Sequence, residues 1–181
     1  MPSAHTSYYL TLPPLDAIVE IINQKYGMSL RVDNTTISNV TKVDEAIIQF
    51  FLDGNQSSSA RDIAPHITPQ VFQLERLNLG LYFGSYVDLS TIGSFAPTST
   101  VDIGQWLSDQ TNIFFGFDDF INEEIDPTDF VTNGYVLRAH PRSLRWHGYL
   151  QFLNELPIRY TTDGFERYDT NSLLRRIELV Q

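Results

Sequence analysis

Cysteine is absent from the 181 residues of this chain. Its absence excludes disulfide bonds, thiolate zinc sites and cysteine nucleophiles together. Long apolar runs are absent too, since none approaches the roughly 18 residues that a membrane-spanning helix requires. The N-terminal segment has neither the basic region nor the apolar stretch of a secretory signal, so we expect synthesis in the cytoplasm without a signal peptide.

Several catalytic motifs and a basic charge balance are missing as well. The sequence contains no Gly-x-Ser-x-Gly elbow, no Gly-x-Gly-x-x-Gly fingerprint and no Walker loop. Lys and Arg number 12 against 22 Asp and Glu, which gives a net charge of −10. A chain this acidic repels polyphosphate, so we do not expect nucleic acid as its main partner. We predict no enzymatic activity, no catalytic residue and no cofactor.

What is present is an ordinary globular composition with two helix signals. Hydrophobic residues make up 42% of the chain and aromatic residues 13%, which favours a packed core with much β-structure. An apolar stripe over 14–26 predicts a helix that Gly27 closes. A cap at Ser99 or Thr100 predicts a second helix that Asn112 closes.

The two helix signals align with each other, which suggests one module used twice. Ile18 and Gly27 of the first correspond to Ile103 and Asn112 of the second. The sequence therefore predicts an α+β fold with two short amphipathic helices, each followed by antiparallel strands. The predicted parts are a first module over 1–88, a linker over 89–98 and a second module over 99–181.

Strands are predicted from alternation, apolar runs and turn residues. The predicted strands are 46–52, ended by the turn Asp53-Gly54-Asn55; 71–83, half-buried; a hairpin of 135–139 and 144–153; and a closing strand or short helix at 173–180.

Two groups of residues resemble metal ligands only weakly. The acidic stretch 118–129 offers oxygen ligands for calcium, but it lacks the glycine and the final Glu of an EF-hand loop, which favours a solvated acidic loop. His140 and His147 flank a turn without a third ligand nearby, which is a poor zinc set. We therefore predict no metal site.

The segment 138–147 is the one basic and aromatic island in this acidic chain. Arg and Trp are enriched at binding hot spots, so we predict Arg138, Arg142, Arg145 and Trp146 as partner-binding residues. The alternative is a solvent-facing hairpin whose arginines balance local acids.

Two segments resemble modules of virion structural proteins of large tailed bacteriophages, in which small modules are often repeated within one chain. They are the helix Leu-Asp-x-x-Val-x-x-Ile-Asn-x-Lys-Tyr-Gly at 15–27 and the strand–turn–strand at 135–150. The first half departs from this pattern, because its turn after 46–52 lacks the Ala-x-Pro-x-Ser form found at 139–143. The resemblance implies a head, neck or tail component without a catalytic site. Such a protein is made in the host cytoplasm, resides in the virion and contacts other virion proteins or copies of itself.

Three functions are therefore considered. The first is a non-enzymatic structural component of a phage virion. The second is a module that binds carbohydrate or protein through Trp106, Trp146 or the aromatic residues of 114–117. The third is an uncharacterised metal-assisted hydrolase that uses the acidic stretch 118–129.

Overall fold

Helices and mostly antiparallel sheets make up the structure, which confirms the predicted α+β class. The computed structural model describes residues 8–56, 70–84, 86–154 and 177–179. The helices in these ranges are α1 Tyr8–Thr11, α2 Pro14–Tyr26, α3 Leu79–Phe83, α4 Thr100–Thr111 and α5 Pro127–Asn133, with a 3₁₀ turn at Leu89–Thr91. The strands are β1 Leu30–Lys42, β2 Ile47–Gln56, β3 Gln70–Glu75, β4 Leu77–Asn78, β5 Tyr86–Asp88, β6 Tyr135–Arg138, β7 Trp146–His147, β8 Tyr149–Leu153 and β9 Ile177–Leu179.

Local signals place the two longest helices where the sequence predicts them, and both predictions are confirmed. Pro14 starts α2, where a missing N–H is harmless, and Gly27 ends it at φ 65°. Ser99 and Asp102 form a capping box at the start of α4. In that box Ser99 Oγ accepts from the Asp102 N–H at 3.3 Å, and Asp102 Oδ2 accepts from the Ser99 N–H at 3.0 Å. Asn112 ends α4 at φ 56°.

The largest sheet has the order β1-β2-β3-β9, and all of its neighbouring strands are antiparallel. On its inner face Phe50 stacks on Phe72, with ring centroids 5.9 Å apart. Tyr26 of α2 meets Phe72 edge-on at 5.8 Å, so α2 packs against this face. The apolar stripe of α2 is buried there, with Ile18 and Ile22 at most 2% exposed.

The turn predicted at Asp53-Gly54-Asn55 is wrong. β2 continues to Gln56, and Asp53 and Gly54 pair with Thr36 and Thr35 of β1. β1 is long enough to offer pairing partners beyond the apolar run, and that pairing outweighs the local preference of Asp and Gly for turns.

The single strand predicted over 71–83 is also wrong in its second half. β3 ends at Glu75, and α3 begins at Leu79. Asn78 caps α3 by accepting from the Leu81 N–H at 3.0 Å, and Gly84 ends it at φ 82°. The leucine alternation therefore describes β3 and β4 but not the helix that follows.

The hairpin predicted in the second half is confirmed, with one difference. β6 and β8 pair antiparallel, with Leu137 beside Leu150. Trp146 and His147 lie outside this hairpin, because they form β7 and pair in parallel with β4. Of the closing segment predicted at 173–180, the described residues Ile177–Leu179 form a strand.

Strands from the two predicted modules pair with each other. β4 and β7 place Leu77 beside Trp146, and β5 and β8 place Val87 beside Phe152. β3 of the first module also pairs with β9 of the second. Buried residues of both modules consequently share one hydrophobic core.

The predicted linker 89–98 contributes side chains to this core. Leu89 is 8% exposed, and Phe95 stacks on Trp106 with ring centroids 5.3 Å apart. The division of the chain at this segment stays a prediction. Separately, none of the described helices has the length and apolarity needed to cross a membrane.

The capping box of α4 makes a testable contribution to stability. Hydrogen bonds to the backbone and hydroxyl of Thr98 and to Ser99 lower the pKa of Asp102 below its ordinary value of 3.8. A lowered pKa in the folded state adds stability above 3.8 that is lost as the pH falls through the folded-state value. We expect Asp102→Ala to lower the free energy of unfolding by about 0.5–2 kcal/mol at pH 7, and the difference from wild type to shrink as the medium is acidified below 3.8.

Urea denaturation across pH measures this difference, with Asp109→Ala on the exposed side of the same helix as the control. A difference that is independent of pH would contradict the role of the Asp102 carboxylate.

Candidate functional site

The four residues predicted to bind a partner divide into an exposed pair and a buried pair. Arg138 and Arg142 lie at the surface, and their partner-binding role stays a prediction. Arg145 is 5% exposed and Trp146 is 0% exposed. The structure thus places these two out of reach of an external partner, contrary to the anchoring role predicted for them, because both side chains are enclosed by the core.

The guanidinium group of Arg145 joins segments that are far apart in the sequence. Its Nη1 donates to the carbonyl oxygens of Leu12 at 2.8 Å and Leu10 at 3.5 Å. Its Nη2 donates to the carbonyl of Phe114 and to Asp119 Oδ2 at 3.3 Å. Burial lowers the pKa of Arg145, and the Asp119 carboxylate opposes that shift. Arginine nevertheless remains protonated in proteins, so the interior holds a true ion pair.

Asp119 completes the network from the other side, and its side chain is 2% exposed. Its carboxylate accepts from Ser143 Oγ at 2.7 Å and from the Gly116 N–H at 2.8 Å. Ser143 Oγ in turn accepts from the N–H groups of Arg145 at 3.3 Å and Trp146 at 3.1 Å. This central polar cluster, which we define as Asp119, Ser143 and Arg145, fixes the backbone on both sides of the ion pair.

A second buried arginine holds the same turn from the first half of the chain. Arg76, 3% exposed, donates to the carbonyls of Glu45 at 2.8 Å, Pro141 at 3.0 Å and Ser143 at 3.4 Å. Burial lowers the pKa of Arg76. Sequence reasoning did not single out Arg76, Asp119 or Ser143 and gave none of them this structural role, because no local pattern separates them from neighbouring polar residues.

Trp146 is the centre of an aromatic cluster. Phe115 stacks on it at 5.4 Å between ring centroids, while Tyr82 meets it edge-on at 5.3 Å and Phe83 lies at 6.0 Å. Tyr82 and Phe83 belong to α3, and Phe115 to the segment that Arg145 binds. Trp146 therefore packs α3 against the central polar cluster.

The acidic stretch 118–129 is only partly a solvated loop. Asp126 caps α5 by accepting from the Thr128 N–H at 2.8 Å. The last three residues of the acidic stretch, 127–129, belong to that helix. Glu123 accepts from the Tyr135 hydroxyl at 2.6 Å. Burial and this hydrogen bond raise the pKa of Tyr135.

Metal binding gains no geometric support from the residues predicted as candidates. His140 Nδ1 accepts from the Arg142 N–H at 3.1 Å, and His147 lies in β7. Over 8–56, 70–84, 86–154 and 177–179, no three His, Asp or Glu side chains are grouped to hold an ion.

A small cavity lies beside the central polar cluster, between α1, α2 and β3. Its volume is about 20 Å³, and its lining includes Leu10, Ile18, Leu74, Leu144 and Arg145. This is room for about one water molecule, so the cavity is too small to admit a substrate.

Exposed aromatic and basic side chains occur elsewhere on the surface. Tyr149, 54% exposed, lies directly opposite Arg138 across β6 and β8. Phe117 is 70% exposed and Phe114 is 40% exposed. Among the aromatic residues considered from the sequence for a binding module, Trp146 is therefore interior, whereas Phe114 and Phe117 are accessible.

No family model matches this chain, and no curated protein or solved structure is significantly similar to it.

The central polar cluster predicts a large effect of neutralising Asp119. Asp119→Ala leaves the Arg145 charge buried without its counter-ion, so we expect the free energy of unfolding to fall by about 3–5 kcal/mol. Urea denaturation followed by tryptophan fluorescence measures the loss. Asp118→Ala, at the exposed neighbouring position, should change stability by less than about 0.5 kcal/mol. Equal stability of the two variants would refute the structural role of Asp119.

Trp146 should likewise behave as a core residue. We expect Trp146→Ala to cost about 3–5 kcal/mol, because truncation leaves a cavity among Tyr82, Phe83 and Phe115. Thermal unfolding followed by circular dichroism tests this, with Arg142→Ala as a surface control of small effect. A Trp146→Ala protein that melts like the control would mean that the side chain is accessible after all.

Proposed function

We propose that the chain is a non-enzymatic structural component of a tailed-phage virion, in the head, neck or tail, that assembles through protein–protein contacts. In this proposal it is made in the host cytoplasm, and its partners are other virion proteins or copies of itself. The resemblance of 15–27 and 135–150 to modules of such proteins supplies the class. The central polar cluster supplies the structural support.

The buried charged groups support this proposal because they bind the protein's own backbone. Arg76 and Arg145 donate chiefly to main-chain carbonyls, and Asp119 accepts from a main-chain N–H and from Ser143. A catalytic acid, base or electrophile must instead reach a substrate within hydrogen-bond distance. Buried ionic groups that fix backbone segments favour a single rigid shape, which suits a part that must fit its neighbours.

Mass spectrometry of purified particles tests the proposal. A structural component should be present in a constant ratio to the other virion proteins and should persist after washing with high salt. A chain that is expressed in infected cells but missing from purified particles would refute the virion assignment.

A module that binds carbohydrate or protein is the second candidate, and one surface favours it. The outer face of the sheet β5-β8-β6 places Tyr149 beside Arg138 and Gln151 beside Val136. Tyrosine and arginine are common anchors, and the amide of Gln151 on the same face offers hydrogen bonds as well.

If this face binds a ligand, Tyr149→Ala should weaken binding at least about tenfold while the fold is kept. Glycan arrays and pull-down from host extracts supply the ligand, and calorimetry measures the affinity. Val131→Ala, also exposed but on α5, is the matched control. Equal affinity of the two variants would exclude this face.

A further inference from the structure

β1 is a long strand at the edge of the largest sheet. It runs for 13 residues, and within the described ranges its strand neighbour is β2 alone. The backbone groups along its other edge thus form a row that a further strand can pair with. Natural proteins usually blunt such an edge with a central lysine, a proline or a bulge.

The middle of β1 lacks the first two of these protections. Residues 34–41 read Asn-Thr-Thr-Ile-Ser-Asn-Val-Thr, which contains no charge, proline or glycine and is mostly β-branched. Thr36 and Ser38 are exposed on one face. Segments of this composition pair readily with copies of themselves.

Bulges restrict where pairing can be regular. The register of β1 against β2 shifts between Leu30 and Thr35 and again between Ser38 and Thr41, and Asn39 has φ 50°. The longest run of regular pairing is therefore Thr35–Ser38, which is where a two-fold axis between two β1 strands fits best.

The charges at the two ends of β1 favour an antiparallel over a parallel direction for a paired copy. Arg31 pairs with Asp33 at the start of the strand, and Lys42 pairs with Glu45 just after its end, where Asp44 also lies. An antiparallel copy brings the start of one strand beside the end of the other. Arg31 and Asp33 of each copy then lie near Lys42 and Asp44 of the other, so charges of both signs are within reach, whereas a parallel copy about a two-fold axis would place each charge beside the same charge.

We propose that β1 pairs antiparallel with β1 of a second copy of this chain, about a two-fold axis at Thr35–Ser38. This inference rests on the assembly function proposed above, since it names the surface and the partner. The four-stranded sheets of the two copies would then join into one continuous sheet. Each copy carries a charge of −10, and this repulsion weakens association. We therefore expect a weak dimer that forms only at high protein concentration.

The absence of native cysteine allows direct trapping of the pair. Residues directly opposite in an antiparallel pair share a face, and a disulfide needs Cα atoms within about 7 Å. Thr36→Cys alone tests an axis at Thr36, and Ser38→Cys alone tests an axis at Ser38. A mixture of the two variants tests an axis at Ile37, where residues 36 and 38 lie opposite each other. We expect one of these combinations to give a covalent dimer on oxidation, whereas Val131→Cys, exposed on α5, should stay monomeric. If none of them cross-links faster than Val131→Cys, the pairing is wrong.

Charge at the edge provides a second measurement that needs no oxidation. The double variant Thr36→Lys with Ser38→Lys places like charges against each other at the axis, so we expect the dimer Kd to rise roughly tenfold or more. Val131→Lys with Thr132→Lys is the matched control. Analytical ultracentrifugation gives Kd, and circular dichroism checks that every variant is folded.

The outcomes separate this inference from the proposed function. A wild-type chain that stays monomeric at every soluble concentration, or that pairs only with a different protein, overturns the β1 pairing even if the chain is found in particles. A dimer weakened by the lysine variant supports the pairing even if the chain is missing from particles, in which case the virion assignment alone fails.

Discussion

The ion pair between Arg145 and Asp119 is the constraint on which the rest of the structure depends. Burying two charges costs several kcal/mol for each ion unless close hydrogen bonds offset the loss of water. Here the guanidinium and carboxylate groups meet carbonyls, an N–H and a hydroxyl from three segments, which are 10–12, 114–116 and the turn at Ser143. The compensation is incomplete, since Nε of Arg145 and Nε1 of Trp146 have no hydrogen-bond partner within the described ranges. Close packing of the aromatic cluster must offset the remainder.

Several elements take their position from this ion pair. Leu10 and Leu12, before α2, are held to a turn more than a hundred residues later. The same turn receives Arg76 from the end of β3, and Trp146 brings α3 into the core. Short elements such as β4 and β7, with two residues each, would not be stable by themselves. They persist because the arginines fix the backbone on both sides of them.

The same arrangement explains why the residues that look functional are structural. A run such as 138–147, rich in Arg, His and Trp, has the composition of a binding surface, but composition does not say which side chains point inward. Arg138 and Arg142 stay outside, whereas Arg145 and Trp146, a few positions later, enter the core. Acidic residues divide in the same way, since Asp119 is buried while its neighbour Asp118 is exposed. A surface for assembly must therefore be sought in exposed backbone and side chains, and β1, the longest strand within the described ranges, offers both.

The sequence by itself determined the features that depend on residues a few positions apart. The starts and stops of α2 and α4 follow from Pro14, Gly27, the capping box at Ser99 and the left-handed Asn112, because capping and helix periodicity act within one or two turns. Only the tertiary structure decided the extension of β2 through Asp53 and Gly54, the change from strand to helix at Leu79, and the burial of Arg145 opposite Asp119. Each of these depends on a partner distant in sequence: β1 for β2, and residues 114–119 for Arg145. Local propensities of about 1 kcal/mol are outweighed by such long-range pairing and burial.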